Sequence, residues 1–170
     1  FGFRGEALPA IASVSRFRIR SRARGEAVGA EIECEGGRVV HHRAAGGPEG
    51  TRVEVADLFG SVPARRKFLK RPGTEWGHIA DWLARFALAR PDIHLEMRRD
   101  DRPATVWPAC RDPRDRIADV LPEDDAAALV EIGIDTDACR IRAHLSRPER
   151  TRSTAQALYL FVNGRPAVSY

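Results

Sequence analysis

Lysine is almost absent from this sequence. Lys67 and Lys70 are the only two among 28 lysine and arginine side chains, a bias that fits genome composition as well as phosphate recognition and so identifies no partner. Cysteine is equally sparse. Cys34, Cys110 and Cys139 are odd in number and far apart, which matches neither a disulfide framework nor a Cys-x-x-Cys zinc site; they read as buried or incidental thiols in a reducing cytoplasm. No apolar run approaches the roughly 20 residues of a membrane-spanning helix, and no basic-then-apolar leader is visible, so the expected location is cytoplasmic and away from membranes. Internal repeats and low-complexity segments are lacking, as is any serine in a Gly-x-Ser-x-Gly nucleophile turn. The histidines form no metal set: His41 and His42 adjoin on one strand and point to opposite faces, and His78, His94 and His144 lack partners at ligand spacing.

What is present is enough apolar material for a core. With 43% hydrophobic residues in 170, the chain sits between one large domain and two small ones. The balance of 28 basic against 24 acidic residues, net +4, with a pI near 9.4, is compatible with a polyanionic partner without requiring one.

Periodicity predicts the elements. Leu8, Ile11, Ala12 and Val14 have helical spacing, with Pro9 in the first turn where its missing N–H does little harm. Residues 17–21 alternate strictly, as a strand with Phe17 and Ile19 facing the core. Segments 28–34 and 38–42 flank Glu35-Gly36-Gly37 as a hairpin, and 51–55 read as a half-buried antiparallel strand. Pro63 opens a short basic helix. From Thr74 to about Arg90, Ile79, Leu83, Phe86 and Ala87 with Trp76 and Trp82 define an amphipathic helix, which Pro91 ends. A hairpin of 93–97 and 104–107 turns at 99–102. A helix at 114–121 follows, then the acidic stretch Glu123-Asp124-Asp125, strands near 129–134, 139–145 and 157–162, and a basic loop at 147–152. Periodicity alone gives an α+β protein with a largely antiparallel sheet.

The most informative segment is Gly2-Phe3-Arg4-Gly5-Glu6-Ala7-Leu8. Gly2 and Gly5 can adopt positive φ and let a ligand approach the main chain, and the N–H groups opening the next helix favour an anion. Taken alone, this pattern is weak and more often marks a plain turn. Three further segments run in order with it: Gly50-Thr51 leading into Val53-Glu54-Val55-Ala56-Asp57-Leu58-Phe59, then Pro63-Ala64-Arg65-Arg66-Lys67-Phe68-Leu69, and Phe161-Val162-Asn163-Gly164-Arg165-Pro166. Together with Ile11-Ala12-Ser13-Val14-Ser15-Arg16-Phe17, these make the chain resemble the N-terminal part of the MutL family of DNA mismatch repair proteins, within the GHKL ATPase superfamily that includes gyrase, Hsp90 and histidine kinases.

That resemblance implies the second half of a GHKL α/β sandwich over 1–110, followed by a truncated ribosomal-S5-like domain over 111–170. It implies an internal piece of a longer protein, with exposed apolar surface and marginal stability in isolation. It makes Gly2, Phe3, Arg4 and Gly5 part of a lid whose backbone N–H groups hold the ATP phosphates, and Thr51 a contributor to the adenine network. Glu6 supports the first helical turn by its charge, and Asp57 reads as a turn cap. The hydrolytic glutamate, the asparagine that binds Mg2+ and the adenine-reading aspartate of a DxGxG loop all belong upstream of Phe1. No catalytic residue is therefore expected in this chain. A lysine reaching the γ-phosphate belongs downstream, and Lys67 and Lys70 do not replace it.

DNA is the implied polyanion, with Arg147, Arg150, Arg152 and Arg165 as candidate phosphate contacts of no base preference. Arg65, Arg66, Lys67 and Lys70 form the densest positive run, but their stems can pack while their charges stay in water. ATP-driven dimerisation through the N-terminal region and contact with a MutS-type mismatch-recognition protein complete the expected partners. Two other classes stay open: a nucleotide-independent DNA-binding module, and another GHKL ATPase such as a topoisomerase subunit or chaperone.

Overall fold

A computed structural model describes residues 5–149 and 158–167. By internal contacts the chain divides into Phe1–Glu75 and Trp76–Tyr170.

The first unit is built on one antiparallel sheet. After α1 (Ala7–Ala12) come β1 (Arg16–Arg22), β2 (Gly29–Glu35), β3 (Arg38–Ala45) and β4 (Gly50–Ala56), in the spatial order β3-β2-β1-β4. The alternation of β1 determines the two faces of this sheet. Phe17 lies opposite Val55 and Cys34, Ile19 opposite Val53 and Ile32, and Ser21 opposite Thr51 and Ala30. On β1, β2 and β4 one face is therefore largely apolar and ends in hydroxyls, and β3 adds His42 to it. The other carries Arg16, Arg18, Arg20 and Arg22 of β1 beside Glu31 and Glu33 of β2 and Arg52 and Glu54 of β4.

Phe17 is buried as expected, but Val53 and Val55 of β4 each stay 44% exposed and Val39 of β3 62%. The half-buried reading of 51–55 is corrected accordingly. The reason is geometric: α1 and the single-turn α2 (Pro63–Arg66) are too small to cover four strands.

Hydrogen bonds to main-chain carbonyls fasten the end of α1. Ser15 Oγ donates to the Ile11 carbonyl at 2.7 Å, the Gly37 N–H in the β2–β3 turn donates to Ala12 O at 3.0 Å, and the Phe59 N–H donates to Val14 O at 2.7 Å.

In the second unit the strands form separate two-stranded hairpins, β5 (Leu95–Arg99) with β6 (Arg102–Trp107), β7 (Leu129–Asp135) with β8 (Arg140–Ser146), and β9 (Leu160–Val162) with β10 (Arg165–Ala167). The β5–β6 turn is tighter than the four residues expected. Asp100 and Asp101 alone make it, at φ 51° and 61°, the left-handed pair that a two-residue hairpin requires. Strand β10 was not expected; the Asn163-Gly164 turn, also at positive φ, returns the chain after β9.

Helix α3 (Pro72–Ala89) crosses the boundary between the units and starts two residues before Thr74. Pro72 opens it without needing an N–H bond, and the Glu75 carboxylate accepts the Lys70 N–H at 2.7 Å. Its buried side is narrower than expected: Ala87 is fully buried, whereas Ile79 and Trp82 are 50% and 58% exposed. Helix α4 (Pro113–Val120) is capped by Asp112, whose carboxylate accepts the Arg114 N–H at 2.9 Å. The acidic stretch 123–125 forms the first turn of α5 (Glu123–Ala127), where carboxylates suit the positive helix end.

Ala87, Met97, Trp107 and the guanidinium of Arg116 make the core of this unit. The Trp107 indole N–H donates to Asp119 O at 3.1 Å.

Candidate functional site

Gly5 stands at the entrance to α1 with φ +67°, and a Cβ built on it would meet nothing within 4 Å among the described residues. The main chain there is open to a ligand on that side. Glu6 follows as the N-cap residue without a side-chain cap bond, and its carbonyl accepts the Ala10 N–H at 3.0 Å. Gly2, Phe3 and Arg4 lie outside the described residues.

Thr51 sits near the start of β4, directly after Gly50, whose φ of +109° is a conformation that only glycine adopts without strain. Its hydroxyl lies 2.8 Å from that of Ser21 across the β1–β4 ladder. The two hydroxyls form the polar end of a face whose next rows are Ile19 with Val53 and Phe17 with Val55. Ser21 escaped the sequence reading because its partner lies 30 residues away; only the strand register brings them together.

On the opposite face the charges largely pair among themselves. Glu31 is 1% exposed because two guanidiniums cover it: Arg20 Nη2 donates to Oε2 at 2.5 Å and Arg43 Nη2 to Oε1 at 2.6 Å. The hydrogen bonds from Arg20, then those from Arg43, hold its carboxyl below the ordinary glutamate value. Arg18 bridges Glu33 at 2.9 Å and Glu54 at 3.3 Å. A lattice of this kind organises the sheet and leaves little charge for a ligand.

Downstream of β4, Asp57 adopts φ 51°, its carbonyl accepts the Gly60 N–H at 2.9 Å, and its carboxylate faces Arg66 at 3.8 Å. Arg65, Arg66, Lys67 and Lys70 are all exposed. In the second unit Arg147 follows β8 and Arg165 opens β10, both exposed and on two different hairpins. Arg150 and Arg152 lie outside the described residues. Near the start of β9, Arg85 of α3 stacks its guanidinium 5.0 Å from the Tyr159 ring centroid and bonds Asp81 at 3.0 Å.

No family model matches the chain. Solved structures do: the ATPase domain of Aquifex aeolicus MutL complexed with ADP matches with a TM-score of 0.80 and 33% identity, covering 96% of this chain and 63% of that one. A crystal structure of the ATPase domain from the A. aeolicus mismatch repair endonuclease MutL gives 0.72 and 31%, covering 99% and 65%. The fold is thus the α+β fold of an ATPase domain from mismatch repair.

The curated relatives agree in sequence. MutL of Opitutus terrae is 44% identical over 169 residues, 99% of this chain and 27% of that protein, and MutL of Geobacter sulfurreducens is 43% identical over 165 residues, 96% and 27%. The chain belongs to the MutL family of DNA mismatch repair proteins and corresponds to part of its N-terminal GHKL ATPase domain region. It spans about a quarter of the length of these relatives, 27% in each case.

Proposed function

We propose that this chain supplies the phosphate-lid half of an ATP-operated switch in a mismatch repair protein. Residues 1–110 are then the second half of a GHKL α/β sandwich, and 111–170 the start of a ribosomal-S5-like domain. The uncovered apolar face of the β1–β4 sheet, with Val53 and Val55 exposed, supports the first assignment, since a sandwich needs a layer of helices there. The Asp112-capped start of α4 supports a new folding unit near the second.

The observation that carries the reading is Gly5, left-handed and open at the entrance to α1, in a chain whose solved relative holds ADP. Backbone N–H groups of Gly2, Phe3, Arg4 and Gly5 would hold the phosphates, and Thr51 would meet the adenine side. ATP supplies a γ-phosphate around which the lid orders, the logic of other nucleotide switches. Mg2+ would accompany the bound ATP, held by the asparagine that the resemblance places outside these residues.

The ordered lid would bring two N-terminal regions together as a dimer. Arg147, Arg150, Arg152 and Arg165 would then neutralise DNA phosphates without reading bases, and the dimer would signal between a MutS-type protein and later repair steps in the cytoplasm. Sedimentation of the full-length protein tests the switch. A nonhydrolysable ATP analogue is expected to convert separate N-terminal regions into a closed dimer in the wild type and to leave the Gly5→Asp variant unchanged.

A further inference from the structure

We propose that Ser21 is a positioning residue for the adenine side of the nucleotide site, acting through the Thr51 hydroxyl; this rests on the ATP-binding reading above. The two hydroxyls are 2.8 Å apart, so one donates its proton to the other and the pair shows a ligand one directed O–H in place of two free rotors. Thr51 is β-branched and stiff at χ1. Ser21 is the group that can turn to fix the proton.

The backbone under both residues is constrained. Gly50 at φ +109° sets the direction in which Thr51 enters β4. On the other side of β1, a Cβ at Gly29 would collide with the Ser21 carbonyl and come within 2.9 Å of the Arg22 Cβ, so β2 presses directly on the main chain at Ser21. The neighbouring rows of this face, Ile19 with Val53 and Phe17 with Val55, offer no competing polar group. A flat ring laid over the β1–β4 side of this face would meet the Ser21–Thr51 hydroxyls, whereas Cys34 and His42 lie toward β2 and β3. A fixed donor–acceptor pair at one end of an apolar surface is the chemistry that recognises the edge of a purine, whose ring atoms and exocyclic group alternate as acceptors and donors.

The test uses the full-length protein and a nonhydrolysable ATP analogue, with Ser21→Ala, Ser21→Thr, Thr51→Ala and the Ser21→Ala/Thr51→Ala double variant measured by calorimetry. Steady-state kinetics with ATP runs in parallel, and thermal unfolding verifies that each variant is folded. Ser21→Ala is expected to weaken analogue binding about threefold to tenfold, the worth of one hydrogen bond, with KM raised and kcat unchanged. Ser21→Thr restores the hydroxyl and wild-type affinity, and the double variant binds no more weakly than Thr51→Ala. Wild-type affinity in a folded Ser21→Ala protein, or independent losses that multiply in the double variant, would overturn the inference. If Thr51→Ala has no effect while Gly5→Asp abolishes binding, this inference falls and the phosphate loop stands; if neither variant affects binding, the nucleotide reading itself falls.

Discussion

The Phe59 N–H reaches the carbonyl of Val14 at 2.7 Å, fastening the loop after β4 to the turn that ends α1. Phe59 is left-handed at φ 61° and Asp57 at φ 51°, a region bulky side chains seldom occupy, so this bond and its neighbours hold a strained loop in place. The loop joins the helix behind the glycine segment to the basic run of α2.

Two glycines of this unit respond differently to a methyl group. At Gly60 the added Cβ would collide with the Asp57 carboxylate, and at Gly29 with the backbone carbonyl of Ser21. A carboxylate can swing aside at the loss of a 3.8 Å ion pair to Arg66, whereas a strand carbonyl cannot. Gly29→Ala is therefore expected to cost about 1–3 kcal/mol by overpacking, and Gly60→Ala less than about 1 kcal/mol. Urea unfolding midpoints of the two variants verify the order.

Acid sensitivity follows from the arginine-held carboxylates. Glu31 is held down by Arg20 and then Arg43, Asp92 by Arg90, and Asp135 by Arg142 and then Arg140. A carboxyl whose folded pKa lies below its unfolded one stabilises the fold above the unfolded value and loses that contribution as pH falls through the folded value. Stability is expected to hold at neutral pH and to fall below the ordinary glutamate value of 4.5. Glu31→Gln should flatten that acid limb while lowering stability at pH 7, which unfolding across a pH series would show.

Arg116 illustrates a different kind of buried charge. Its Nη2 donates to the carbonyls of Pro91, Ile93 and Pro108 at 3.0, 2.8 and 2.8 Å, while Nε and Nη1 are buried without partners among the described residues. Removing the side chain takes that donor from the Ile93 and Pro108 carbonyls, while Pro91 O keeps the Cys110 N–H at 2.9 Å, and relieves two unpartnered nitrogens. Each orphaned group costs about 1–3 kcal/mol, and Arg116→Met is expected to destabilise by about 3 kcal/mol. Arg116→Lys should lose less, because an ammonium can still donate to part of the set. Chemical denaturation would show the ranking.

Much of this architecture was legible in the sequence. Strict alternation in 17–21 and 51–55 located β1 and β4, because strand side chains repeat every two residues, and Gly36-Gly37 located the hairpin turn. Helix α5 escaped because Glu123-Asp124-Asp125 carries no apolar periodicity, although acidic residues after Pro122 also suit a first helical turn. Strand β10 escaped through its brevity, despite the Asn163-Gly164 signal. The Glu31 cluster and the Ser21–Thr51 pair depend on register between distant strands, which local periodicity does not carry. Of the candidate site, Gly5 and Thr51 were readable from motif order, whereas their supporting residues were not.

For DNA, Arg165 at the start of β10 is expected to act on phosphate alone. Arg165→Ala in the full-length protein should weaken binding equally on unrelated sequences and reduce the salt slope by about one unit. Binding isotherms across a salt series, on two duplexes of different sequence, provide the measurement. A loss confined to one sequence would speak for base contact.

The central claim is that the glycine segment before α1 holds the phosphates of ATP. Calorimetric titration of the full-length protein with a nonhydrolysable ATP analogue, wild type against Gly5→Asp, tests it most directly. An aspartate at φ +67° is strained and places a negative charge where phosphate would sit. The account predicts clear binding by the wild type and none by a folded Gly5→Asp variant. Equal binding by both would reduce the segment to a structural turn and contradict the account.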